Sequence, residues 1–143
     1  MDTIARQIIK PDLSRETSVP LFASQVAAGF PSPADDWLEG ELDLVGFLVR
    51  HPAATFYVRV SGDSMIGAGI HSNDILIVDR ACKPVDGDVI IASINAELTV
   101  KRLAARKGRL QLVPENRNYK PIDITDEMNF EVWGKVLHVI HSF

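Results

Sequence analysis

Two residues of this chain could act together as a nucleophile and its base. Ser64 lies in the turn Ser61-Gly62-Asp63-Ser64-Met65, and Lys101 follows 37 positions later (101 − 64), inside the apolar stretch 98–103. A serine hydroxyl attacks a carbonyl carbon only when a neighbouring base accepts its proton, and a neutral lysine can be that base. The chemistry of such a pair would be cleavage of an amide or ester bond.

The lysine can do this only if its surroundings favour the neutral amine. With an ordinary pKa of about 10.4, roughly one lysine in 2,500 is neutral at pH 7, but burial among apolar groups lowers a lysine pKa by several units. The alternation of a strand places Thr99, Lys101 and Leu103 on one face and Arg102 on the other. If the first face points inward, Lys101 is desolvated and Arg102 faces solvent.

The glycines around Ser64 allow close approach of the backbone, so the N–H groups of Ser64 and Met65 could receive an oxyanion. The same residue types also suit an ordinary loop, and a lysine in a strand is more often a surface residue. The spacing by itself favours these structural interpretations over a catalytic pair. Both interpretations stay open at this point.

A third motif, Ala27-Ala28-Gly29-Phe30, precedes the serine by 36 positions (64 − 28). Small side chains leave a backbone carbonyl open to attack, and they also suit a flexible hinge. A peptide tethered to its own nucleophile gains effective molarities of about 10⁵–10⁸ M in good geometries. The motif is therefore a candidate substrate within the chain.

The elements that must position these residues are mostly strands. Residues 1–28 are polar, with prolines at positions 11 and 20, and predict an arm in which residues 3–10 form a short helix at best. Residues 30–33 predict an extended joint, and residues 42–49 a short amphipathic helix. Apolar stretches separated by turn residues then predict a largely antiparallel β domain; they are 56–60, 74–79, 88–94, 97–103, 109–113 and 130–141.

The composition excludes several classes of protein. The chain has 143 residues, of which 46% are hydrophobic, and a net charge of −4. This balance argues against global disorder and against tight DNA binding by the whole chain. No apolar stretch reaches the 18 residues of a membrane span, and the start does not resemble a signal peptide. With a single cysteine, Cys82, these features favour the cytoplasm.

The remaining candidate groups are interpreted as structural. Cys82 is expected to be a structural or incidental thiol, since no histidine has a spacing that makes a Cys-His pair persuasive. The four histidines look scattered, so neither a metal nor a cofactor is predicted. Residues 101–109 hold five basic side chains, which suit a solvated hairpin tip or, alternatively, a contact for a partner or nearby DNA. Trp37 and Trp133 are expected to be core or interface anchors.

Several motifs, taken in order, resemble the UmuD branch of the LexA-type self-cleaving proteins from about residue 19 to the C-terminus. They are Pro20-Leu21-Phe22, Ala28-Gly29-Phe30-Pro31-Ser32-Pro33, Ser61-Gly62-Asp63-Ser64-Met65, Gly69-Ile70, Asp74-Ile75-Leu76-Ile77-Val78-Asp79, Gly87-Asp88-Val89-Ile90, Thr99-Val100-Lys101 and Leu112-Val113-Pro114-Glu115-Asn116. The resemblance implies Ser64 as nucleophile, Lys101 as general base and the Ala28–Gly29 bond as the cleavage site. It also implies an arm, 1–28, removed from a domain, 29–143, of twisted, partly barrel-like antiparallel sheets.

The resemblance further implies a role in the SOS response to DNA damage. Family members are homodimers, their cleavage is stimulated by a RecA–single-stranded DNA filament, and the processed form is an accessory subunit of a UmuC-like error-prone polymerase. Ala28 replaces the cysteine of the nearest UmuD proteins, but LexA-like repressors have Ala-Gly there. Only 28 residues precede the bond, which argues against a DNA-binding repressor.

Two other functions stay open. One is a β-domain dimer that regulates a polymerase by binding alone, with an inert dyad. The other, weaker, is a peptidase acting on other proteins, as leader peptidases do with Ser-Lys pairs; those carry membrane anchors, which this sequence does not show.

Overall fold

A computed structural model describes residues 1–14, 18–22 and 38–143; for 18–22 and 38–41 it describes the backbone alone. The chain divides into two compact units, one formed by Met1–Pro11 with His51–Phe143 and the other by Asp12–Arg50. The elements, in chain order, are β1 (Ile4–Ile9), β2 (Ser18–Phe22), β3 (Leu38–Asp43), α1 (Leu44–Leu48), β4 (Thr55–Ser61), β5 (Ile75–Asp79), β6 (Val89–Ile94), β7 (Glu97–Arg106), β8 (Arg109–Val113), β9 (Ile122–Asp123) and β10 (Phe130–Ile140). Short 3₁₀ turns span Pro52–Ala54 and Ile66–Ala68.

The larger unit is a closed antiparallel barrel of six strands. The hydrogen-bonded order runs β1, β4, β5, β10, β6, β7, and β7 pairs back to β1, while β8 and β9 extend the sheet from β7. Closure depends on the first strand, because β1 pairs with β4 along its length and with β7 at Ile4. The mainly β, partly barrel-like fold predicted from the sequence is confirmed.

The core of this unit follows the two-residue period of its strands. Val58 and Val60 of β4 pack with Leu76 and Val78 of β5 and with Val100 of β7 in one fully buried cluster. A second cluster continues it on the other side of the sheet, made of Ile90, Ala92, Leu103 and Leu112. Burial of side chains of this size stabilises the fold by about 1.5–3 kcal/mol each, so the strands that carry the candidate dyad are rigidly held.

The predicted strands of the β domain are all present, within a few residues of the expected bounds, and so is the short helix, as α1. The short helix considered for residues 3–10 is wrong, because this segment forms β1. Thr3, Ile4, Ile8 and Ile9 are β-branched and lose side-chain freedom in a helix. The open edge of β4 offers their backbone a full set of hydrogen bonds instead.

The smaller unit contains an antiparallel hairpin and the helix. β2 pairs with β3 from Ser18 opposite Asp43 to Phe22 opposite Leu38. Asp43 caps α1 by accepting a hydrogen bond from the Gly46 N–H, as short polar residues commonly do at helix starts. The predicted joint at 30–33, the Ala28–Gly29 bond and Trp37 lie outside the described residues. No helix in the described part of the chain is long and apolar enough to cross a membrane.

Candidate active site

The barrel brings Ser64 and Lys101 together. Ser64 lies three residues beyond the end of β4, and Lys101 lies in the middle of β7. The Lys101 Nζ is 3.4 Å from the Ser64 Oγ, although the residues are 37 positions apart. Ser64 is fully buried and Lys101 is 2% exposed, so the pair is shielded from bulk water.

The face of β7 that carries Lys101 points inward, as the alternation predicted. Thr99, Lys101 and Leu103 are all buried, whereas Arg102 on the opposite face pairs with Glu115 at 2.5 Å. The Lys101 Nζ donates to the Thr99 Oγ1 at 2.8 Å and to the Val100 carbonyl at 3.1 Å. These two bonds direct the amine towards Ser64.

The serine turn is held from outside by the segment that follows β8. The Glu115 N–H donates to the Ser64 carbonyl, and the Gly67 N–H donates to the Glu115 carbonyl, each at 2.8 Å. The Asn116 side chain donates to the Asp63 carbonyl at 2.9 Å. The motif 112–116 carries part of the family resemblance, but its supporting role could not be deduced from the sequence, because it depends on tertiary contact.

Asp63 and Tyr119 form a further bond across the same interface. The Tyr119 hydroxyl donates to the Asp63 carboxylate at 2.5 Å. This bond raises the pKa of Tyr119 to about 12 and, as the largest of several causes, lowers the pKa of Asp63. A phenol that donates to a carboxylate ionises with more difficulty.

The first residues of the chain lie directly on the dyad, which the sequence analysis did not foresee. The Asp2 Oδ1 is 2.5 Å from the Lys101 Nζ. The Thr3 N–H donates to the Ser64 Oγ at 2.8 Å, and the Thr3 carbonyl accepts from the Val100 N–H at 3.0 Å. The β-branched residues at positions 3, 4, 8 and 9 were the available signal that this segment forms a strand.

The Asp2 carboxyl is held in its charged form. Burial acts to raise its pKa, but hydrogen bonds from Lys101 and Ser64, the charge of Lys101 and a hydrogen bond from Thr99 outweigh burial, so the pKa lies below its ordinary value. The partner of this carboxylate is the Lys101 Nζ, at 2.5 Å. An amine engaged in such an ion pair is not available to accept the Ser64 proton.

The amides proposed for an oxyanion lie at the start of the same turn. Within residues 1–14 and 38–143, neither the Ser64 nor the Met65 N–H takes part in a backbone hydrogen bond of the turn, whereas Ile66, Ala68 and Gly69 donate to carbonyls within it. Met65 is fully buried in the core, which fixes the backbone at this point. Two amides are thus available beside the Ser64 hydroxyl.

Residues 20–137 match the model of a family described as Peptidase S24-like. The chain belongs to this family. It is 47% identical to the protein SamA of Salmonella typhimurium over 127 residues, which cover 89% of this chain and 88% of SamA. It is 45% identical to the protein ImpA of Salmonella typhimurium over 145 residues, covering 99% of this chain and 96% of ImpA.

A LexA repressor is also similar to this S24-like peptidase. The LexA repressor of Magnetococcus marinus is 38% identical over 130 residues, covering 91% of this chain but 55% of the repressor. The predicted resemblance to UmuD-like and LexA-like proteins is confirmed, and family membership supports a serine peptidase with a self-cleaving role.

Elsewhere in this S24-like peptidase, Cys82 has a histidine neighbour that the spacing in the sequence did not indicate. The Cys82 Sγ lies 4.0 Å from the His51 Nδ1, and the Asp79 Oδ2 lies 2.6 Å from the same nitrogen. A catalytic histidine uses different ring nitrogens for the nucleophile and the carboxylate. Here both groups face one nitrogen and Asp79 occupies it, so the arrangement does not form a triad.

A second cluster corrects the expectation that the histidines are scattered. The His141 Nδ1 is 2.6 Å from the Asp74 Oδ1, and the His71 ring Nδ1 is 3.8 Å from the Asp74 Oδ2, which accepts the His71 backbone N–H at 2.8 Å. These are donor types that zinc can bind. Both carboxylate oxygens are already hydrogen-bonded, however, and the cluster joins the start of β5 to the end of β10.

The basic stretch of the S24-like peptidase is largely paired. Lys101 is buried, and three of its arginines face carboxylates: Arg102 with Glu115, Arg106 with Asp86 and Arg109 with Asp123. Lys107 and Gly108, both with positive φ, form the tight turn between β7 and β8. This pattern favours a solvated hairpin tip over a nucleic-acid contact. Trp133 packs on Phe56 and beneath Arg80, as a core anchor would.

Proposed function

We propose that this chain is a self-cleaving Ser-Lys peptidase that cuts its own Ala28–Gly29 bond. The observation that carries the proposal is the buried pair itself, a serine hydroxyl 3.4 Å from a lysine amine that strand β7 directs towards it. Membership of the Peptidase S24-like family supports the same reaction class.

The reaction follows from the geometry. Lys101, as the neutral amine, accepts the Ser64 proton while the Oγ attacks the Ala28 carbonyl carbon. The negative oxygen that forms is stabilised by the N–H groups of Ser64 and Met65, since such donors act most strongly in a site without water. The intermediate then breaks the C–N bond, and the Lys101 ammonium protonates the departing Gly29 amine.

A second round completes the cleavage. The Ala28 acyl group is left as an ester on Ser64, and Lys101 is again neutral. Lys101 accepts a proton from water while the water oxygen attacks the ester carbonyl. Collapse of that intermediate releases the Ala28 carboxylate and returns the proton to Ser64. No cofactor is needed, because serine and lysine supply the nucleophile, the base and the acid.

The processed domain is proposed to act in the SOS response. We infer a homodimer in the cytoplasm that serves a UmuC-like error-prone polymerase as accessory subunit. A RecA–single-stranded DNA filament would stimulate cleavage by binding the competent conformation better than the resting one. The 45% identity to ImpA across nearly the whole chain supports this placement.

Alkaline incubation tests the reaction. Because only the neutral amine can act as the base, incubation at alkaline pH should cause cleavage without a filament, and mass spectrometry should then find pieces of 28 and 115 residues (143 − 28). The variants Ser64→Ala and Lys101→Ala should each cut at least about a thousand-fold more slowly, since removal of one member disables such a unit.

Ser93→Ala and Lys107→Ala serve as matched controls and should cleave at the wild-type rate. A product that persists in Ser64→Ala would contradict the proposed nucleophile. A wild-type chain that stays intact at alkaline pH, yet forms dimers and binds the polymerase, would favour the binding-only alternative.

A further inference from the structure

We propose that the seam between β4 and β7 is a peptide-binding groove whose resident ligand is the chain's own first strand, and that Asp2 and Thr3 inhibit the dyad from within it. This inference rests on the proposed self-cleavage. It adds a second function for the arm, which would be inhibitor as well as substrate.

The groove has backbone edges on both sides. One side is β4, which pairs with β1 from Ile9 opposite Tyr57 to Ile4 opposite Ser61. The other side is β7, where Ile4 also pairs with Thr99. A segment that bonds to two strands at once is held much as a strand inside a sheet, and extended peptides commonly bind to proteins in this way.

The contacts of the resident strand oppose both requirements of the attack. The base must be a free neutral amine, but the Lys101 Nζ is engaged in an ion pair with the Asp2 carboxylate at 2.5 Å. The nucleophile needs a free lone pair, but the Ser64 Oγ accepts the Thr3 N–H at 2.8 Å. The bound strand therefore occupies both the base and the reactive atom.

The fit is too close for a second segment to enter. Gly62, with φ of 106°, lies against the Asp2 carbonyl so closely that a Cβ on it would be 2.1 Å from that oxygen. With the strand in place Ser64 is fully buried, which leaves no room for a scissile carbonyl. The strand must leave before Ala28 can reach Ser64, whether Ala28 comes from the same chain or from another copy.

The ligand that this groove accepts is thus an extended peptide of defined chemistry. It presents a carboxylate to Lys101 and, on the next residue, an N–H to Ser64. The other charged groups near the dyad are already paired, because Asp63 accepts from Tyr119 and Arg102 bonds to Glu115 on the far face of β7. Asp2 is the described carboxylate that controls the base.

Neutralising Asp2 tests the electrostatic part. In the full chain, Asp2→Asn should raise self-cleavage near neutral pH about tenfold, which equals about 1.4 kcal/mol of lost inhibition, and should move the rise of the pH–rate profile to lower pH. Asp12→Asn is the matched control, because Asp12 bonds only to nearby Ser14 among the described contacts. An unchanged rate and profile for Asp2→Asn would overturn the role of Asp2.

A reversible cross-link tests the groove itself. Gln7 and Arg59 are register partners of β1 and β4, and directly paired residues of antiparallel strands are close enough for a disulfide. The variant Gln7→Cys with Arg59→Cys, in a Cys82→Ser background, should cleave at least about tenfold more slowly at alkaline pH when oxidised and regain its rate on reduction.

The matched control carries Ser93→Cys and Glu131→Cys, partners of β6 and β10, two strands that do not pair with β1; it should cleave equally in both redox states. Equal rates for the oxidised and reduced β1–β4 variant would overturn the proposal. Absence of cleavage in both states and in the wild type would instead contradict the proposed function, so the two failures are distinguishable.

Discussion

At the scale of single residues, the site combines groups that could cleave a peptide with groups that restrain them. Thr99 belongs to both sets. Its hydroxyl accepts from the Lys101 Nζ at 2.8 Å and lies 3.2 Å from the Thr3 carbonyl and 3.3 Å from the Asp2 carboxylate. A serine–lysine spacing in a sequence cannot reveal such a neighbour, because many strands alternate threonine with charged residues.

Thr99 is predicted to position the base. Thr99→Val removes one hydrogen bond to the amine, worth about 1 kcal/mol, and should lower the maximum alkaline cleavage rate about fivefold to tenfold. Thr99→Ser keeps the hydroxyl and should retain the rate, while the exposed Thr125→Val should have no effect. A loss shared by the valine and serine variants would point to packing instead of positioning.

Tyr119 provides a spectroscopic prediction. In Tyr57→Phe, Tyr119 is the one remaining tyrosine of the two in the chain, and its absorbance should show half-ionisation near pH 12 because Asp63 accepts its proton. A pKa raised on folding stabilises the protein below about pH 10, and that contribution disappears as the pH rises through about 12.

Asp63→Asn is the decisive comparison, since it removes the carboxylate and keeps the shape. Ionisation of Tyr119 should then fall towards the ordinary pKa of about 10. If the two titrations coincide, the Asp63–Tyr119 bond does not form in solution.

At the scale of elements, the turns fix the ends of the strands and so determine where the side chains of each strand lie. Asp79 ends β5 and accepts hydrogen bonds from the Ala81 N–H at 2.7 Å, the Cys82 N–H at 3.2 Å and the His51 ring at 2.6 Å. Its carboxyl is fully buried. This turn fixes the end of β5, which pairs with both β4 and β10.

Asp79 should make the fold sensitive to acid. Burial acts to raise the pKa of Asp79, but bonds from His51 and the Ala81 N–H outweigh it, so the pKa lies below its ordinary value. A lowered pKa stabilises the fold above about pH 4, and that stabilisation is lost as the pH falls through the folded-state value.

Asp79→Asn should therefore lower the free energy of unfolding by about 1–3 kcal/mol at pH 7 and flatten its acid dependence, as measured by denaturant titration across pH. The exposed Asp123→Asn, which removes a surface pair with Arg109, should change stability by less than about 1 kcal/mol. Equal effects of the two variants would show that burial of Asp79 does not matter.

The elements also show what the sequence could predict. Apolar stretches predicted β4 to β8 and β10, because apolar positions record burial, and the face of β7 that carries Lys101 is buried. The pattern did not show that the opposite face of β7 is buried as well, at Val100. β1 was harder to recognise. Its β-branched residues were a signal, but its last four residues are exposed, so no alternation of burial marks it as a strand. The two-residue β9 has no periodicity to detect.

At the scale of the whole molecule, the first strand closes a barrel that the rest of the larger unit leaves open. The dyad lies at this closure. Both the closure of the barrel and access to the dyad therefore depend on the same strand. The resemblance singled out Ser64 and Lys101, and the structure places their side chains 3.4 Å apart. It could not show that residues 1–9 lie over them, because that contact joins positions about 60 and 100 residues apart.

Cleavage at Ala28–Gly29 would not in itself prevent that strand from returning. It must leave the groove before Ala28 can reach Ser64, but its pairing with β4 and β7 does not involve the bond that is cut, so the piece 1–28 should rebind to the piece 29–143 for a time. Native mass spectrometry after alkaline cleavage should detect the two pieces together, whereas denaturing conditions separate them. Immediate separation under native conditions would show that the strand holds too weakly to fill the groove.

Departure of the closing strand β1 is reversible before cleavage and irreversible after it. While the chain is whole, a departed strand returns easily, because its tether keeps it at an effective concentration of about millimolar. Once the link is cut and the piece 1–28 has dissociated, its return depends on the far lower concentration of free peptide, so departure becomes permanent. A brief stimulus would then leave each cleaved molecule without its inhibitory strand until that molecule is replaced. The uninhibited form would persist after the stimulus has ended.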